Sequence, residues 1–297
     1  MINKRLSHTL IFVILLFLSF LFLAPIFIII INSLKFKFSI TEAPFTLPNG
    51  QNFAGLENFI NGFTQTGFGT AFFWSLFITV FSVAAIVIFT SMTAWYIVRA
   101  KNALTNILYY ALVFSMIVPF QMVMFTMSKV ANVLMLDNPV GIILIYLGFG
   151  AGLATFMFSG FVKSVPQTVA EAATIDGCNT LQTYFLVVFP ILKPTTVTVA
   201  ILNTMWIWND YLLPYLVIGN DYKTIPVAVQ YLKGGYGSVD MGALMAMLVL
   251  SIIPVVIFYL SSQKYIITYL MVESTAIVKL VAELFVFTLT DVLFFTG

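Results

Sequence analysis

Few side chains in this sequence can do chemistry, and their types limit what that chemistry is. There is one histidine, His8, and one cysteine, Cys178. A lone cysteine allows no internal disulfide and no CxxC metal or redox pair. With no base near it in sequence, Cys178 also lacks an activating partner. The chain has no H-E-x-x-H motif and no convincing Ser/His/Asp set, so neither catalysis nor metal binding is expected of it. No lysine follows a glycine, which removes the Walker A pattern and with it a nucleotide site. What remains is eleven carboxylates, of which two settings stand out: Glu171 and Asp176 in a polar stretch, and Asp210 inside an apolar one.

The elements that must position these residues are membrane spans. The 297 residues are 61% hydrophobic and only 8% charged, against about 25% charged for a soluble domain, which excludes a water-soluble fold. A net charge of +2 with no dense basic run gives no nucleic-acid surface. A charge at the centre of a span costs about 2.5–3.5 kcal/mol, and about 20 apolar residues cross the hydrocarbon, so charge-poor intervals locate the spans. Six are expected, at about 9–31, 70–98, 107–128, 140–162, 195–218 and 241–263. The first follows Lys4 and Arg5 but is too long for the 7–15-residue core typical of a signal peptide, and is read as an uncleaved span. The fold class is an all-α integral membrane protein of six transmembrane helices.

Basic residues orient it. With a cytoplasmic N-terminus, Lys4, Arg5, Arg99, Lys101, Lys163, Lys193, Lys264 and Lys279 lie inside, and Lys35, Lys37, Lys129, Lys223 and Lys233 outside. Both termini are then cytoplasmic. The long cytoplasmic connection is 163–194, and external loops fall at 34–69 and 219–240. Pro119 and Pro254 are expected to kink their helices, and Gly148 and Gly152 to mark a close helix contact.

The connection 163–194 reads as an elbow. Ser164 can cap a helix whose first turn accommodates Pro166, Glu171-Ala172-Ala173 favour its continuation, and Gly177 ends it. A second helical stretch, 180–188, is expected to stop at Pro190 and Pro194. Val165, Val169 and Ala172/Ala173 recur on one face, while Glu171 and Asp176 supply charge. Two readings are open: a helix lying on the membrane surface, or an element docking into a partner's groove with a carboxylate for an Arg or Lys.

Asp210 also has two readings. An ionisable group in a span faces a partner or a watery cavity. Asn203, Trp206 and Asp210 share a helical face at i, i+3 and i+7, a hydrogen-bonding surface with an aromatic plate that suits a sugar in a translocation pathway. Alternatively Asp210 lies near the end of its span and holds a neighbouring side chain or helix in place.

Glu171-Ala172-Ala173, three residues, Gly177, nine residues, then Val187-Val188-Phe189-Pro190 resembles the EAA loop of binding-protein-dependent ABC importer permeases, E-A-A-x3-G-x9-I-x-L-P. Trp208-Asn209-Asp210-Tyr211-Leu212-Leu213-Pro214 is similar to the W-N-[DE]-[FY]-x-x-P of the maltose and multiple-sugar type. Thr224-Ile225-Pro226-Val227, Gly234 to Gly237, and Gln263-Lys264-Tyr265 fit that family's last loop and sixth span. The likeness covers about 10–267, a permease domain at 1–267 of the shorter six-span kind, and fades in a divergent tail at 268–297.

The resemblance implies a type I ABC importer-like fold in a prokaryote's cytoplasmic membrane and transport of an oligosaccharide. Implied partners are a cytoplasmic ATPase dimer that binds ATP and Mg, a second homologous permease and an extracytoplasmic solute-binding protein, with no cofactor in this chain. It assigns ATPase coupling to Glu171, Ala172, Ala173, Asp176, Gly177 and Pro190. A competing class, an ion-coupled secondary carrier, would need Asp210 as its ion site with no charged partner in the spans.

Overall fold

The structure is a computed structural model that describes the backbone of residues 4–233 and 240–272, and the side chains of 9–232 and 240–263. The expected tail at 268–297, Gly234 to Gly237 and Lys264 therefore lie wholly or largely outside the described residues. The elements in order are α1 (Lys4–Ser33), α2 (Lys37–Glu42), α3 (Glu57–Thr66), α4 (Phe68–Ala100), α5 (Ala103–Ser115), α6 (Phe120–Val133) and α7 (Pro139–Val162). There follow α8 (Gln167–Ile175), α9 (Thr180–Gln182), a π-helical segment (Thr183–Val188), α10 (Phe189–Ile191), α11 (Lys193–Asn209), α12 (Leu212–Val217), α13 (Ile225–Gln230), a 3-10 turn (Tyr231–Lys233) and α14 (Met241–Val272). The fold is all-α and membrane-embedded, as the composition requires.

Among the described residues, four stretches are single helices long and apolar enough to cross a bilayer: Thr9–Ser33, Phe68–Ala100, Pro139–Val162 and Met241–Gln263. The remaining apolar stretches are bent pairs. Ala103–Ser115 and Phe120–Val133, over the expected span 107–128, meet at 106°; Thr180–Ile191, which falls in the expected connection 163–194, meets Lys193–Asn209 of the expected span 195–218 at 77°. Pro119 is the cause of the first break: a proline disfavours helical backbone in the residue before it, and Pro119 itself is extended (φ −62°, ψ 135°). So 107–128 is a broken pair and not one straight helix. Pro254, in contrast, is carried inside α14 without ending it.

The interval 195–218 is also interrupted. α11 ends at Asn209, Asp210 is extended (φ −72°, ψ 122°), and α12 starts two residues later. The Asp210 carboxylate accepts from the N–H groups of Leu212 and Leu213, and Pro214 falls in the first turn of α12, where its missing donor costs nothing.

The chain groups into two units, residues 1–72 with 225–254, and residues 73–224 with 255–297. In the second, a core of Ile86, Ile142, Tyr146, Phe158, Tyr184 and Leu192 joins α4, α7 and the π segment. Close helix approach runs through glycine: a Cβ at Gly152 would lie 2.6 Å from the Leu112 carbonyl oxygen on α5. Gly148, expected to share that contact, faces open space. Asn102 caps α5 with a reciprocal bond from Thr105, and Asn138 caps α7 ahead of Pro139. In the first unit α3 packs against the first turns of α14 at Gly242 and Met247 and against the 3-10 turn, which also meets α13, and the fully buried Lys35 donates from Nζ to the Ala43 carbonyl and Thr46 Oγ1.

Candidate functional site

The elbow is built as two short helices on a glycine hinge. α8 starts after Pro166, which occupies the cap position with no side-chain cap, while Ser164 Oγ instead donates to the Phe161 carbonyl and closes the end of α7. Ser164 thus differs from its expected capping role, because the hydroxyl lies one turn nearer α7. At the other end the Cys178 N–H reaches the Ala173 carbonyl and the Gly177 N–H that of Thr174. This pair of bonds is a Schellman closure, and it needs a left-handed residue at Gly177, whose φ is +88°. Asn179 and Gln182 then form a capping box that starts α9.

The faces of α8 are sorted. Val165 and Ala173 are buried and Val169 is half-buried, whereas Glu171, Ala172, Ile175, Asp176 and Gly177 are exposed. Ala172 and Ala173 therefore lie on different sides: one anchors the helix, the other is open to approach. Ile175 is 85% exposed and Leu181, across the hinge, 58%. Gln167 Nε2 donates to Glu171 Oε1 at 2.9 Å, holding that carboxylate on the open face.

Pro190 does not stop the second arm. The stretch from Thr183 to Val188 is π-helical, with the Phe189 N–H on the Tyr184 carbonyl, and the helix runs on through Pro190 to Ile191. A proline inside an α-helix would clash with the carbonyl four residues back; the wider π turn accommodates it. The turn away comes at Leu192, and Pro194 sits in the first turn of α11.

Two ties fix the elbow to α4. Arg99 Nη2 donates to the Val165 carbonyl at 2.8 Å. Tyr184, 1% exposed, shares a short hydrogen bond with Ser91 Oγ and packs its ring against Trp95 and Phe189. Sequence reasoning found neither tie. Arg99 was legible only as a charge at a span's end, and nothing in one dimension links Tyr184 to Ser91.

The second group of expected site residues is partly brought together. Tyr146, buried on α7, donates its hydroxyl to Asp210 Oδ2 at 3.0 Å and meets the Trp206 ring edge-on at 5.5 Å. Tyr146 is the member that sequence reading missed, since an aromatic in a span carries no signal of its partner. Asn203 is buried, donates to the Val199 carbonyl of its own helix and lies beside Gly150. Asp210 is thus occupied by one hydroxyl and two backbone donors, and Trp206 alone of the three stays exposed, at 38%.

Comparison with known proteins agrees with this architecture. The chain is 38% identical over 253 residues to "Probable starch degradation products transport system permease protein AmyC" of Thermoanaerobacterium thermosulfurigenes, covering 84% of this chain and 90% of that one. It is 35% identical to the multiple sugar-binding transport system permease protein MsmG of Streptococcus mutans, covering 83% and 89%. A solved bacterial ABC transporter involved in the import of the acidic polysaccharide alginate superposes with a TM-score of 0.75 at 23% identity, over 89% of this chain and 98% of that one, a likeness of fold. Residues 88–269 match the family described as binding-protein-dependent transport system inner membrane component, and the chain belongs to that family.

Proposed function

We propose that this chain is the permease subunit of an ATP-driven importer that moves an oligosaccharide across the cytoplasmic membrane. ATP and Mg are bound and ATP is hydrolysed by a separate cytoplasmic ATPase dimer. A solute-binding protein delivers the sugar, and a second, homologous permease completes the path. The relatives' names support the sugar class: starch degradation products, multiple sugars, and melibiose, raffinose and stachyose.

The observation that carries the coupling is the open face of the elbow. Glu171, Asp176 and Ile175 project from a helix whose other side is buried, and Leu181 projects beyond the hinge. A carboxylate for a basic partner beside apolar anchors is the chemistry of a helix that docks into a groove. Ala172 lets the partner come close, Gly177 sets the angle between the arms, and Ala173 and the π segment through Pro190 seat the elbow on its own bundle. Closure of the ATPase would move this lever, and the ties from Arg99 and Tyr184 would carry the motion to α4, shifting the bundle between two access states. Trp206 is the pathway candidate among Asn203, Trp206 and Asp210, because its ring keeps an open face.

The test is co-purification and uptake in a strain carrying all subunits. Glu171→Lys and Gly177→Asp are expected to leave this subunit in the membrane and to lose the ATPase from the purified complex. Full ATPase retention and full uptake in both variants would overturn the coupling role. Accumulation of sugar by this chain alone in vesicles would overturn the ATP-driven reading as a whole.

A further inference from the structure

The external loop expected at 34–69 contains a helix whose burial is inverted for a segment in water. On α3 the residues facing inward are Asn58, Gly62 and Thr66, one per turn, all buried. Asn58 Nδ2 donates to the carbonyls of Ser33 and Lys35, each at 2.8 Å. A Cβ on Gly242 would lie 2.3 Å from Asn58 Oδ1, and one on Gly62 would lie 2.9 Å from Met247. The start of α3 is therefore fastened where the span Thr9–Ser33 ends and where the span Met241–Gln263 begins.

The apolar residues of α3 are left outside. Leu56 at its N-cap, Ile60 and Phe63 are 67%, 63% and 48% exposed, and with Phe59 and Leu250 of α14 they line a groove of about 370 Å³. Leu250 is the ninth residue after Met241, about 13 Å along the helix axis at 1.5 Å per residue, which is hydrocarbon depth for a span that starts there. Ile253, 46% exposed, continues the same strip one turn further along. The polar residues Glu57, Asn61 and Gln65 occupy the opposite flank of α3 at helical spacing. Such a helix has one side for the protein, one for oil and one for water.

We propose that α3 is an interfacial helix and that the groove it forms with Leu250 holds a phospholipid acyl chain. Continuity with the lipid-facing strip of α14 argues for this occupant, because the surrounding solvent of that strip is hydrocarbon. α3 then pins the loop between α1 and α4 to the membrane plane. The inference does not depend on the transported solute or on the coupling role of the elbow.

Photocrosslinking in the assembled transporter, within native membranes, tests it. Ile60 or Phe63 is replaced by p-benzoylphenylalanine, with Asn61 and Gln65 as comparison sites, and adducts are identified by mass spectrometry after irradiation. Ile60 and Phe63 are exposed, so the larger ring at Ile60 displaces no packed neighbour. Phospholipid adducts are expected at Ile60 and Phe63 in a yield at least about fivefold above Asn61 and Gln65, as for a helix with one flank in the acyl layer. Equal lipid yields at all four sites, or adducts at Ile60 and Phe63 to peptides of another subunit or a second copy of this chain, would overturn the proposal.

Discussion

Asp210 shows how one residue can be both an interruption and a fastener. Its carboxylate closes the first turn of α12 through the N–H groups of Leu212 and Leu213, and it takes the Tyr146 hydroxyl from α7. The cap uses Oδ1 and the Tyr146 hydroxyl uses Oδ2, so an asparagine keeps the cap through its one amide oxygen while its NH2 donates to the Tyr146 hydroxyl, which can turn to accept. Asp210→Asn is therefore expected to assemble normally and keep uptake within about twofold, since the cap oxygen survives. Asp210→Ala removes the cap and strands the buried Tyr146 hydroxyl, a loss of about 1–3 kcal/mol that thermal unfolding of the detergent-purified complex would register. If Asp210→Asn abolished uptake in a fully assembled complex, the side chain would have a role in the solute path beyond packing. The carboxylate itself was conspicuous in the sequence, because charge in a span is costly. Its partner was not, because a tyrosine among many apolar residues has no one-dimensional mark.

The elbow was legible as an element because its grammar is local. Pro166, the Glu171-Ala172-Ala173 run and Gly177 mark a short helix and its end within a dozen residues, and the left-handed Gly177 is where that grammar requires it. For an uncharged side chain the cost at Gly177 is conformational, since a Cβ there would meet nothing within 4 Å, whereas Gly177→Asp also adds a negative charge to the open face. The side chains best able to adopt positive φ should then be tolerated best. ATPase retention in pull-downs is expected to fall in the order Gly177→Asn, Gly177→Ala, Gly177→Val, with Ala costing the hinge about 1 kcal/mol. Equal retention for Asn and Val would mean that the angle between the arms is unimportant. The second arm is expected from the sequence as a helix over 180–188; what escaped was how it is wound and where it ends. A π turn has no compositional signature, and proline rules written for α-helices stop the helix at Pro190, where the widened turn lets it pass. The ties to α4 escaped for a different reason: Tyr184 meets Ser91 across 93 residues of chain.

At the scale of the molecule, charge-free intervals located the spans but not their straightness. A bilayer tolerates a bent pair as long as neighbouring protein satisfies the freed backbone groups, so hydropathy alone does not distinguish the 106° break at Pro119 from a continuous helix. Orientation follows from where the cations gather. Arg99 reaches the Val165 carbonyl and Lys163 Nζ stands 5.9 Å over the Tyr109 ring, so the end of α4, the start of α5 and the junction of α7 with α8 share one end of their unit. Lys101 lies in the turn between α4 and α5, adding a third cation there. Basic residues in short loops stay on the cytoplasmic side, so that end, and the elbow with it, is expected to face the cytoplasm. Truncated fusions to alkaline phosphatase, active only outside the cytoplasm, read this directly. Fusions after Lys101 and Cys178 are expected to be inactive, and those after Gly50 and Asn220 active. The reverse pattern would place the elbow beyond reach of any cytoplasmic ATPase.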